Sequence, residues 1–194
     1  GNAVFVPPPP ERVPAMLADL ERFIHDAAQP LPPLVKTALI HLQFETIHPF
    51  LDGNGRLGRL LITLYLCERG VLRAPLLYLS LYFKQHRETY YRLLQEVRER
   101  GAWEAWLEFF LEGVADTANQ AFHTANGIVA LFQTDRERIG AEAAAPNSVL
   151  RVHELLQTSP YVTAPAARMK SGLALPTVNA ALDQLLRLGM VVEV

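Results

Sequence analysis

Apolar residues recur along this chain at spacings of three and four rather than in alternation, the period of an amphipathic helix and not of a strand. The pattern predicts a first helix from about Val13 to Asp26. It predicts a second from Leu34 to Ile47, with Leu34, Ala38, Leu39, Leu42 and Phe44 on its buried side. His48-Pro49 stops that helix, because a residue before proline is pushed out of the helical region. A third helix, about Gly55 to Arg69, carries Leu57, Leu60, Leu61, Leu64 and Tyr65 on its apolar side, and Gly70 supplies its stop. Leu60, Leu61 and Leu64 read as core. Further helices are expected over Leu79 to Arg100 and Trp103 to Thr134, separated by Gly101. Trp103, Trp106, Phe109 and Phe110 stand at core spacing on the latter. The fold class this predicts is mainly α.

Two segments break the pattern. "NAVFVPPPP", Asn2 to Pro10, joins a short β-prone run to four prolines that enter neither a helix interior nor a central strand, so it reads as extended and peripheral. "GAEAAAPNS", Gly140 to Ser148, is rich in small residues and reads as a boundary. The expected organisation is a domain over 1–139, a linker over 140–147 and a small domain over 148–194. The last would be three short helices and a β-prone end, "MVVEV", which resembles a winged helix-turn-helix with its wing cut short.

Composition narrows the classes further. Half of the 194 residues are apolar, enough for one substantial core and a small second domain. The longest apolar runs, such as Leu60 to Cys67, are far shorter than a bilayer span, and no leader-like segment opens the chain, so no membrane insertion is expected. Cys67 is the only cysteine, which excludes intrachain disulfides and a thiolate zinc cage and fits a reducing, cytoplasmic setting. A formal net charge of -2 gives no general pull toward nucleic acid.

The chemistry concentrates in "HPFLDGNGRLGR", His48 to Arg59. Asp52-Gly53 and Asn54-Gly55 are turn signals, but the flanking segments are helical, so the stretch is an interhelical loop that opens a helix rather than a hairpin. Its glycines permit positive φ and close backbone approach, and the free N–H groups of a first helical turn attract an anion. Arg56 and Arg59 lie near that positive helix end, three residues apart. Two cations there repel unless an anion such as a polyphosphate joins them, although either could form a surface salt bridge. Asp52 reads as a cap or turn residue, or as the ligand of a divalent cation, Mg²⁺, that lets a carboxylate sit beside phosphates. His48 reads as a hydrogen-bonded helix-end histidine or as a general base. Phe50 reads as a core anchor for the loop. His41 and His86 show no partner at metal-ligand spacing.

The stretch resembles, position for position, the Fic signature HxFx(D/E)GNGRxxR, with the helix-loop-helix setting that goes with it. The resemblance extends over roughly Asn2 to Thr134, with "KQHRETYYRLL" and "GAWEAWLEFFLEGV" similar to the helices that follow the motif. It implies a Fic-type helical bundle with a short β flap over 1–10, and transfer of AMP from ATP to a Ser, Thr or Tyr hydroxyl of a protein, itself included, with release of pyrophosphate. His48 would be the base and Asp52 the Mg²⁺ ligand. Gly53, Asn54 and Gly55 would form the anion hole, with Asn54 placing the α-phosphate. Arg56 would neutralise the departing pyrophosphate and Arg59 would reach its outer end. Tyr90 and Tyr91, of which only one can point fully into the core, would line an adenine pocket. Val4, Phe5 and Val6, as the flap, would pair with an extended segment of the target. Many members are restrained by a helix bearing (S/T)xxxE(G/N). The one Glu-Gly here is Glu112-Gly113, preceded at the fourth position by Glu108, so the inhibitory piece is expected upstream and Arg59 is expected to be unpaired.

Two alternatives stand beside this reading: removal of AMP from modified protein at the same site, and a DNA-binding regulator. In the second, Pro176 to Leu188 would be the recognition helix, exposing Thr177, Asn179, Ala180 and Asp183. From Pro146 to Val194 four Lys/Arg face three Asp/Glu, a poor phosphate footprint. A dimerisation or docking role for that domain, with assembly into a homo-oligomer, is equally open.

Overall fold

The computed structural model describes residues 5–26, 28 and 30–194, and Val4 of the expected flap lies outside them. A 3-10 turn, Pro10–Arg12, leads into α1 (Val13–His25). There follow α2 (Pro33–Ile47), α3 (Asn54–Glu68), α4 (Leu79–Gln85), α5 (Arg87–Arg100), α6 (Trp103–Glu142), α7 (Pro146–Leu156), α8 (Ala164–Ser171) and α9 (Leu175–Arg187). The fold is mainly α, as the periodicity predicts, and no β-strand occurs among the described residues. Local chemistry sets several boundaries. Proline opens α1, α2, α7, α8 and α9, where its missing N–H is not needed. Gly101 and Gly172 close α5 and α8 in the left-handed conformation. The expected single helix over Leu79 to Arg100 is broken at His86, whose φ of -107° and ψ of 37° leave the helical region.

The chain forms two compact units, the first ending at Phe122 and the second beginning at His123. The division falls inside α6. The 140–147 segment, expected as a linker, is helical through Glu142 and again from Pro146.

In the first unit α2 is central, packed against α1, α3 and α5. It is therefore buried almost all round, including Lys36, Thr37, His41 and Glu45. One core gathers Ala38, Leu42, Ile62, Leu66, Phe83, Tyr90, Trp106 and Phe110; another gathers Leu20, Ile40, Phe44, Ile47 and Tyr65. Trp103, expected with them, is instead 43% exposed at the start of α6. The stripe expected to bury α3 is also displaced. Leu57, Leu60 and Leu64 are exposed, and the helix buries Asn54, Gly58, Ile62, Tyr65 and Leu66. Glycine at 58 lets α3 approach α2 closely, which turns that side inward. Phe5 and Val6, expected in a β flap, are irregular, because the prolines after them cannot continue a ladder.

In the second unit α7, α8 and α9 pack on one another over Val149, Val152, Ala181 and Leu185, joined by Ile139 of α6. His153 and Asp135 form a buried pair, with Nε2 to Oδ2 at 3.2 Å. The turn between α8 and α9 is short, as in a helix-turn-helix. The expected wing does not form, since Met190 to Val194 adopt no strand. Thr177, Asn179, Ala180 and Asp183 are exposed on α9. No helix of the described residues is long and apolar enough to cross a membrane.

Candidate active site at the α2–α3 loop

Pro49 prevents α2 from continuing, and His48 ends it with φ 49° and ψ 56° while its N–H closes on the Phe44 carbonyl at 3.0 Å. His48 is the one non-glycine residue with positive φ among the described residues. A side chain in that conformation costs about 1–2 kcal/mol and persists where its surroundings fix it, which is common at functional sites.

The loop after His48 is clamped from within. Asn54, 2% exposed, accepts the Phe50 N–H on Oδ1 at 2.9 Å and donates from Nδ2 to the Phe50 carbonyl at 2.6 Å. Phe50 thus anchors the loop by its backbone. Its ring, expected in the core, is 50% exposed. The amide of Asn54 is committed to this clamp, which makes its side chain a shaper of the loop, and its main-chain N–H belongs to the first turn of α3.

Gly53, at φ 87°, caps α3 without any side-chain cap, and its carbonyl accepts the Leu57 N–H at 3.0 Å. The N–H groups of Asn54, Gly55 and Arg56 have no intrahelical acceptor, and this open end attracts anions. Asp52 accepts the Gly53 N–H on Oδ1 at 2.6 Å and meets Arg56 Nη2 through Oδ2 at 3.1 Å, both side chains largely exposed. Gly55 leaves space for Arg59, since a Cβ there would lie 3.0 Å from Arg59 Nη1. Arg59 forms no ion pair within 4.0 Å among the described residues.

No group of three or more His, Cys, Asp or Glu among the described residues could cage a metal ion. An ion held between phosphates needs less. Mg²⁺ at nucleotides keeps several waters and takes one or two carboxylates, and Asp52, exposed beside the anion-attracting turn, fits that part.

Beneath the loop lies a buried polar layer that sequence reading missed. His41, Glu45 and His48 stand at i, i+4 and i+7 on one face of α2, a spacing that could have revealed them. His41 Nε2 meets the Tyr90 hydroxyl at 3.0 Å, and burial pushes the His41 imidazole down to about 4. Burial pushes the Glu45 carboxyl upward against the pull of His48, Arg59 and Arg98. Among the described residues, Glu45 Oε1 and His41 Nδ1 find no hydrogen-bond partner.

Of the aromatic pair expected at an adenine pocket, Tyr90 is 4% exposed, stacked on Phe83 with ring centroids 4.7 Å apart, so it is core. Tyr91 is 56% exposed and alone remains open to a ligand. Phe5 stands edge-on to His48, centroids 6.2 Å apart, and walls a cleft of about 390 Å³ with Val6, Pro8, Pro9, Arg12, Met16, Thr46 and Arg98.

Comparison with known proteins converges on this loop. A family model described as Fic/DOC family matches residues 1–66, which contain the whole of His48 to Arg59. A probable protein adenylyltransferase of Aquifex aeolicus is 35% identical over 98 residues, 50% of this chain and 28% of that protein. Over residues 1–66 the chain is similar to the Fic family. Protein adenylyltransferase fic-1 of Caenorhabditis briggsae is 37% identical over 67 residues, 34% of this chain and 13% of the worm protein. Protein adenylyltransferase Fic of Drosophila melanogaster is 34% identical over 95 residues, 48% of this chain and 18% of the fly protein. A solved Fic family protein from Desulfovibrio desulfuricans matches 95% of this chain and 52% of its own, with a TM-score of 0.59 and 27% identity. The chain therefore spans less than a third of the length of these curated relatives and about half of the solved one.

Proposed function

We propose that the protein transfers AMP from ATP to a hydroxyl side chain of a protein. The observation that carries this reading is the joining, by one clamped loop, of a histidine held in the left-handed conformation to an uncapped helix N-terminus flanked by two arginines. The names of the relatives support the same chemistry.

In this reading the hydroxyl oxygen bonds to the α-phosphorus and the α–β bridging P–O bond breaks. Pyrophosphate leaves, and the proton goes to His48. The N–H groups of Asn54, Gly55 and Arg56 receive the phosphate oxygens, Arg56 swings from Asp52 to the departing group, and Arg59 takes the outer phosphate. Mg²⁺ bound with ATP would supply charge neutralisation between the phosphates, with Asp52 as its protein ligand. Tyr91 would carry the adenine, and an extended acceptor segment would run along Phe5 and Val6. Much of this is positioning and electrostatic stabilisation, which suits a site with little covalent machinery of its own. A DNA-reading role for α9 has less support, because its exposed side carries one cation, Arg187, against one acid, Asp183.

The test is to incubate the protein with Mg²⁺ and ATP labelled at the α- or the γ-phosphate. Label should stay on protein from α-labelled ATP alone and be absent with His48→Ala. Retention of γ-label would instead indicate phosphorylation.

A further inference from the structure

Arg98 lies on α5, far along the chain from the motif, yet its contacts converge on the last turn of α2. Its Nη2 donates to the Glu45 carbonyl at 2.9 Å and its Nε donates to Thr46 Oγ1 at 3.2 Å. That hydroxyl in turn donates to the Leu42 carbonyl at 2.9 Å. A helix C-terminus leaves carbonyls unpaired and carries partial negative charge, and a guanidinium there answers both. Arg98 also lies over Phe5, 3.7 Å from the ring centroid, and Phe5 is the ring that stands edge-on to His48.

One side chain therefore holds the backbone from which His48 departs and the ring that flanks it. The left-handed conformation of His48 needs such support, since an unsupported helix end would fray or relax to a less strained turn. We infer that Arg98 is the positioning residue for His48, an assignment that rests on His48 being the proton acceptor. It acts through the Glu45 carbonyl, Thr46 and Phe5, and not on the reacting atoms. Lysine would not replace it fully, because an ammonium cannot make the forked pair of bonds and lie flat on Phe5 together.

The experiment uses the full chain with Arg98→Lys, Arg98→Met and Phe5→Leu. It measures binding of a fluorescent ATP analogue with Mg²⁺, single-turnover AMP transfer from α-labelled ATP, and the imidazole NMR signals of ¹³C-histidine-labelled protein. The expected result is nucleotide affinity within about twofold of the parent, while transfer falls roughly 10- to 100-fold in Arg98→Met and less in Arg98→Lys. The His48 signal should move in all three variants and that of His25 in none. Unchanged transfer and an unmoved His48 signal in folded Arg98→Lys and Phe5→Leu would overturn the assignment, and these two decide the matter if Arg98→Met does not fold. If the parent itself transfers no AMP, the proposed activity fails. A shifted His48 signal would then still support the positioning role, and an unmoved one would overturn it.

Discussion

Gly58 lies so close to Glu45 that a Cβ at position 58 would meet Glu45 Oε1 at 2.6 Å, with the His41 ring at 3.2 Å. This contact brings the two helices of the motif together: α3 turns its smallest residue toward the buried acid and imidazole of α2. Gly58→Ala should therefore force one of them aside and destabilise the protein by about 1–3 kcal/mol. Gly127→Ala, in the middle of α6 with nothing within 4 Å of the added carbon, should stabilise it by about 0.5–1 kcal/mol. Urea midpoints of the two variants would move in opposite directions.

His41 should make the protein sensitive to acid. Its folded value, about 4, lies below the ordinary 6.5, so the unfolded chain takes the proton first as pH falls. The stability contribution is full above pH 6.5 and is lost toward pH 4, by an amount of the order of 3 kcal/mol. Glu45, raised by burial, has the opposite sign: its contribution is present at low pH and is lost as pH rises above its ordinary 4.5. Urea unfolding of the parent and of His41→Gln across this range cancels Glu45, and the parent should lose more stability on acidification.

His48→Ala and His48→Gly should both lose AMP transfer while keeping nucleotide affinity, because the base acts on the acceptor and not on ATP. They should differ in stability. Glycine adopts φ 49° freely, so His48→Gly should be more stable than His48→Ala by about 1 kcal/mol. Loss of nucleotide affinity in step with activity would show that His48 belongs to the ATP site.

Asp52→Ala should weaken ATP binding in the presence of Mg²⁺ and leave binding in EDTA close to that of the parent. The exposed Asp52–Arg56 pair contributes little to folding, so the ligand-free melting temperature should barely change. Equal affinity for Mg²⁺–ATP in variant and parent would reduce Asp52 to a turn residue.

Tyr90 and Tyr91 should separate stability from binding. Tyr90→Phe leaves His41 Nε2 without its partner and should destabilise the fold by about 1–3 kcal/mol. Tyr91→Ala should leave stability nearly unchanged and lower ATP affinity, as a titration with a fluorescent analogue would report.

The amino-acid sequence by itself determined where most helices start and stop, because prolines at helix starts, His48-Pro49 and the glycines at 70 and 101 act within a few residues of themselves. It also determined the make-up of the loop, since a glycine-bounded turn that opens a helix bearing two arginines near its start is a local arrangement. Tertiary structure decided which side of each helix is used. Helical spacing in α3 offers two apolar stripes, and the one through Gly58, Ile62 and Leu66 is buried because Glu45 and His41 of α2 require a surface without side-chain bulk. The same dependence sent Tyr90 inward to His41 and left Phe50 outside with its backbone held by Asn54. It also brought Arg98 from α5 to the end of α2, a contact between residues so far apart in the chain that no local spacing encodes it, because it exists only once the two helices have packed.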